Sequence, residues 1–157
     1  MKDEALSPKG ELMELLPIAQ PTDEIRAGVE TAVTQVIALA KEQRSMIGEL
    51  LDWLRVEFGI AEVGQKLESF AALNSVDFTQ EVKKRRPRAA GLLTPAAVRT
   101  LKSTHETYSG DVRQRQTHIN QLENTISNLV NQAYGLTDDE IAWLWQTAPP
   151  RMPIAAP

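Results

Sequence analysis

The sequence predicts an all-α protein: two long antiparallel helices plus short helices, forming an elongated helical bundle. Three observations carry this. Apolar residues recur at three- and four-residue spacing over two stretches of roughly 35 to 40 residues, and no segment alternates as a half-buried strand does. Proline is confined to the ends and to the middle of the chain, leaving 23–58 and 96–134 free of it. Aromatic residues make up only 5% of a 42% hydrophobic chain, so the core must be mostly Leu, Ile, Val and Ala, which suits helix packing.

The elements follow in order. Residues 1–21 mix charge with Pro8, Gly10, Pro17 and Pro21. They are expected to form a partly ordered extension, because proline disfavours helix in the residue before it. Thr22 then caps the first long helix, with Asp23 and Glu24 in the turn where the helix dipole favours anions. Its stripe is Ile25, Val29, Val33, Val36, Ala40, Ile47, Leu50, Leu54 and Phe58, and Gly59 supplies the stop. Gln65 to Leu73 reads as one short amphipathic helix. Ser75 caps another, with Val76, Phe78 and Val82 inward, Lys83 onward outward, and Pro87 as its end. Arg88 to Leu93 is a loop around Gly91. Thr94-Pro95 opens the second long helix, an N-cap followed by proline at the first helical position. Its stripe runs Val98, Leu101, Tyr108, Val112, Ile119, Leu122, Ile126, Leu129 and Ala133, and Ser109-Gly110 is a place for a bend. Gly135 stops it, and Thr137 with Glu140 forms a capping box for a last short helix. Residues 22–148 are thus one bundle domain and 149–157 a Pro-rich tail.

Composition narrows function. The formal charge of −4 is incompatible with a globally basic nucleic-acid binder but allows a local basic patch. With no cysteine there is no disulfide, no thiolate nucleophile and no Cys-ligated zinc. No apolar run approaches the roughly 18 residues of a membrane span. The opening MKDEALSPKGELMELLP lacks the apolar region of a signal peptide, so the expected location is cytoplasmic.

Lys83, Lys84, Arg85, Arg86 and Arg88 place five cations in six residues, and Arg99 and Lys102 extend them. Such a patch suits phosphate contact, which positions a protein on DNA without reading bases. The competing reading is a solvated helix end whose cations complement the dipole. Trp143 and Trp145 stand two apart on a short helix and cannot share a face, which leaves one of them for a partner or solvent. His105 and His118, 13 residues apart, cannot form a metal pair and are expected at the surface or the edge of the stripe. No glycine-rich nucleotide cradle and no nuclease-like acidic cluster is present, so no cofactor, no metal and no catalytic residue is expected.

Leu50 to Ile60 (LLDWLRVEFGI), Gln65 to Leu73 (QKLESFAAL), Glu81 to Ala97 (EVKKRRPRAAGLLTPAA) and Asn128 to Pro153 resemble, in this order, one region of a known family. That region is the C-terminal helical part of large type II restriction–modification DNA methyltransferases. The resemblance implies a non-catalytic spacer that holds recognition and methyltransferase domains in register on DNA. Its partners would be those domains and double-stranded DNA, touched weakly and through the backbone only. The family's catalytic Asn-Pro-Pro-aromatic signature is absent, and Ala148-Pro149-Pro150-Arg151 does not match it. The alternative is a stand-alone helical dimerisation or protein-interaction module with no DNA role. Under either reading the stripes are longer than one helix pair covers. This predicts a homodimer along 23–58, where Gly28 and Gly48 allow close approach.

Overall fold

The computed structural model describes residues 18–147, in which five α-helices and two short 3₁₀ turns are joined by short loops and no strand is present. The N-terminal extension before residue 18 and the Pro-rich tail of the sequence reading lie outside the described residues. The helices are α1 (Asp23–Phe58), α2 (Gly64–Glu68), α3 (Ser75–Arg85), α4 (Pro95–Tyr134) and α5 (Asp138–Thr147). At ~1.5 Å per residue α1 is about 54 Å long and α4 about 60 Å.

Capping fixes the long helices. The Thr22 hydroxyl accepts from the Ile25 amide, and Thr94 does the same for Ala97. Gly59 and Gly135 end the helices in the left-handed conformation, at φ 66° and 63°, which an L side chain adopts only with strain. The Gly59 amide donates to the Arg55 carbonyl and closes the last turn.

α1 and α4 pack antiparallel. Gly28 near the start of α1 lies against Leu129 near the end of α4, so close that a Cβ there would stand 3.1 Å from Leu129 Cδ1. Midway, Glu42 pairs with Arg115 at 3.4 Å, and the Gln43 amide donates to Gln116 at 3.2 Å and to the Val112 carbonyl. Gly28 therefore serves the contact with α4. α4 runs through Ser109-Gly110 without interruption.

The core sits at one end only. Leu50, Leu51, Leu54 and Phe58 of α1 and Leu101 and Val112 of α4 are covered by Phe70, Phe78 and Val82 from the middle segment. After the Gly59 turn, Ile60 and Val63 return into the same core. Each such side chain stabilises the fold by about 1.5–3 kcal/mol on burial. Trp53 packs against this core edge-on to Phe58, with ring centroids 5.1 Å apart. We call this the capped end. The other end, where α1 begins and α4 finishes, is the open end.

Several elements differ from the sequence reading. Gln65 to Leu73 is not one helix: α2 stops at Glu68 and a 3₁₀ turn, Phe70–Ala72, follows. Asn74, not Ser75, caps α3, its side chain accepting from the Val76 and Asp77 amides. Val76 is half exposed in the first turn of α3, ahead of the buried Phe78. In α1, Ala32 takes the buried position and Val33 faces outward.

His105 is the largest correction. It is 2% exposed, not at the surface, stacked on Phe78 at 4.5 Å between ring centroids and edge-on to Phe70. Its Nε2 lies 3.1 Å from the Phe70 carbonyl. A carbonyl can only accept, so Nε2 donates to it, and Nδ1 has no hydrogen-bond partner among the described residues. One and two turns on, Ser109 is fully buried and Arg113 donates to both Ser109 Oγ and the Ala71 carbonyl. His105 and Arg113 thus hold the backbone of the 3₁₀ turn, with Ser109 between them accepting from Arg113, at positions that apolar periodicity alone would overlook.

Candidate nucleic-acid and partner interfaces

The basic cluster ends α3 and enters the next loop, and the fold divides it. Glu81 is almost buried one turn earlier, and its carboxylate takes Arg85 Nε at 3.0 Å and Lys84 Nζ at 3.6 Å. Arg85 also donates to the Glu62 carbonyl, and its guanidinium lies directly over Gly64. That position has φ +64°, a left-handed conformation that favours glycine, and a Cβ there would displace the Arg85 guanidinium. Arg86 donates to the Ala90 and Gly91 carbonyls, each at 3.2 Å, with its guanidinium carbon 5.9 Å from the Phe58 ring centroid. Arg85 and Arg86 therefore hold the loops on either side of α3 and are half-buried. This corrects the outward placement of everything from Lys83.

The remaining cations differ. Lys83, Arg88 and Arg99 are exposed, Lys102 is half-buried, and none of the four forms an ion pair among the described residues. Glu81 is the residue that sequence reasoning missed. Its i, i+4 spacing to Arg85 was the available signal. Beside the loop, Trp53, Glu57, Phe58, Arg86 and Leu92 line a cleft of about 400 Å³.

The tryptophan pair separates as its spacing requires. Trp143 is 63% exposed, whereas Trp145 shares a half-buried face of α5 with Ile141. α5 starts on the capping box read from the sequence. The Thr137 amide and hydroxyl both donate to Glu140 Oε2 at 2.8 Å, and the Glu140 amide donates back to Thr137 Oγ1. These donors hold the Glu140 carboxyl below its ordinary range, the backbone bond contributing most. His118 is exposed on α4, and among the described residues no group of three His, Asp or Glu side chains is placed to hold a metal ion. No helix among the described residues is long and apolar enough to cross a membrane.

Exposed apolar side chains occur at both ends: Val56, Val76 and Leu92 at the capped end, and Ile18, Val33, Ile37 and Val130 at the open end. A groove of about 240 Å³ runs between the helices, lined by Ile18, Pro21, Ile25 and Val29 on one side and Val130 and Ala133 on the other. Formal charge is sparse along the helix stretches behind the tip, where from Ala27 to Ala40 only Glu30 carries one and from Gln116 to Thr137 only Glu123 does. Asp23, Glu24, Arg26, Asp138, Asp139 and Glu140 flank these stretches, however, and Arg26 and Glu30 line the groove. Depletion of charge around apolar side chains is the compositional mark of an interface core.

A hairpin of two long helices, capped at one end by a third layer, defines an elongated all-α bundle. The chain belongs to the family described as domain of unknown function DUF8810, whose model matches residues 22–130, from the cap of α1 into the last turns of α4. No curated protein and no solved structure matches the chain.

Proposed function

We propose that this chain is a non-catalytic helical docking domain: the capped end secures its own fold, and the open end receives another protein surface. The observation that carries the reading is the coincidence, at one end, of exposed Val33, Ile37 and Val130, a mostly apolar groove, and helix stretches that carry little charge. In an assembly of the restriction–modification kind that the sequence resembles, the surface arriving there would belong to a recognition or methyltransferase domain.

The test is binding of the dye 8-anilinonaphthalene-1-sulfonate, which fluoresces on apolar surface, at the lowest protein concentration that gives a signal. The wild-type chain binds it. The triple variant Val33→Ser, Ile37→Ser, Val130→Ser binds far less while keeping its helix content. A wild-type chain that binds no dye removes the docking reading.

A second reading, phosphate contact with double-stranded DNA, rests on Lys83, Arg88 and Arg99, the exposed cations that no carboxylate satisfies. Replacing these three with glutamine lowers the slope of log affinity against log salt by about three, since each phosphate contact contributes about one. An unchanged slope assigns these residues to a solvated helix end.

A further inference from the structure

We propose that the first occupant of the open end is a second copy of this chain, bound through an antiparallel contact between the two α1 helices. The inference rests on the docking reading and names its partner.

The face concerned is Glu30, Val33, Ile37 and Lys41. At about 100° per residue these four fall within an arc of about 80° on α1. All four are exposed, and Ile37 is 64% so. The face lies beside the seam with α4, not on it, because Ala32 and not Val33 fills the buried position. Arg26 and Glu30 line both this face and the groove, so the two surfaces are continuous.

The order along the face is anion, apolar, apolar, cation. That pattern is complementary to itself when reversed. An antiparallel mate centred between Val33 and Ile37 sets Glu30 against the mate's Lys41 at one edge. The two-fold axis repeats that pair at the other edge, as an isologous interface requires. Val33 and Ile37 then meet Ile37 and Val33 in the middle. A parallel mate would set Glu30 on Glu30 and Lys41 on Lys41, which electrostatics disfavours.

The surrounding charges are mixed. Arg26 and Arg44 also fall on this face, and the same centring sets Arg44 opposite the mate's Arg26, whose charge Asp23 already meets at 3.3 Å. Glu30, Lys41 and Arg44 form no ion pair among the described residues. Glu42, the carboxylate that would disturb the pattern, is already held by Arg115. Gly48 continues the face with no atom within 4 Å of where its Cβ would stand, leaving room for the start of the mate's helix.

The test is sedimentation equilibrium of the full chain, with three variants. The wild type is expected at twice 17.4 kDa at tens of micromolar. Glu30→Lys alone and Lys41→Glu alone each oppose like charges across the contact and weaken the dimer at least tenfold. The double variant Glu30→Lys, Lys41→Glu restores it to within a few-fold of wild type. All four chains keep the same circular dichroism spectrum, because both side chains are exposed. Restoration by the double variant is the decisive result, since loss of fold cannot produce it. A dimer that ignores both single variants, or that the double variant does not restore, overturns this interface. A wild-type monomer that binds the dye overturns the second copy alone and leaves another protein as the occupant. A monomer that binds no dye overturns the docking reading with it.

Discussion

The capped and open ends are built from the same two helices, yet they differ in how much of those helices is hidden. At the capped end Leu50, Leu54 and Leu101 are fully buried beneath Phe70, Phe78 and Val82. Among residues 23–46 of α1 only Ala32 is buried, and among residues 113–134 of α4 only Ile119. Two helices alone cover only the narrow seam between them. A third layer completes the core, and here that layer extends along only about the last third of α1 and the first half of α4. The capped end is therefore where most of the buried core lies, and the open end is where the two helices leave more of their surface exposed.

The largest expected effect tests that division directly. Phe78→Ala removes a fully buried ring that stacks on His105, and costs about 3–5 kcal/mol in urea unfolding. Ile37→Ala at the open end changes the stability of the monomer by less than ~0.5 kcal/mol. Equal costs at the two ends would dissolve the distinction.

The next effect sharpens it within the basic cluster. Arg86→Ala loses two carbonyl partners and the Phe58 contact, and costs about 1–2 kcal/mol. Lys83→Ala, three residues away, stays within ~0.5 kcal/mol. If both are silent in thermal unfolding, Arg86 is not holding the loop.

The contrast between Arg86 and Lys83 shows where the sequence was legible. Both long helices were readable to the residue at their starts and stops, because Thr22, Gly59, Thr94 and Gly135 act locally through caps. The capping box of α5 was readable for the same reason. What could not be read depends on contacts distant in sequence. The break between α2 and the Phe70–Ala72 turn is met by His105 and Arg113, 35 and 42 residues further on. The inward pull on Arg86 comes from Phe58 and from loop carbonyls whose path no periodicity describes. Adjacent cations in a sequence look equivalent until the fold supplies their partners.

A smaller, stabilising effect is expected at Gly110. It lies inside α4 with no atom within 4 Å of a Cβ position and with ordinary helical backbone. Gly110→Ala raises stability by about 0.5–1 kcal/mol, the usual difference in helix propensity. A loss instead would mean that the helix bends at this point.

The smallest effect is local and depends on pH. Glu140 has a depressed pKa in the folded chain, so its contribution is complete above the ordinary carboxylate value and is lost as pH falls through the lowered one. The amide resonances of Thr137 and Glu140 should report this loss in acid while those of the capped end stay constant. Glu140→Ala should reproduce the acid-state resonances of the Trp143 indole at neutral pH. An indole that ignores both changes would show that α5 does not depend on its capping box.

The one-sided third layer also has a mechanical meaning. From Leu50, where the clamp begins, to Asp23 at the tip is about 40 Å of helix, held by a single neighbour. Such a pair is a cantilever. A tilt of a few degrees at its root, such as a shift of α3 beneath Leu101 would produce, moves the tip by several ångströms.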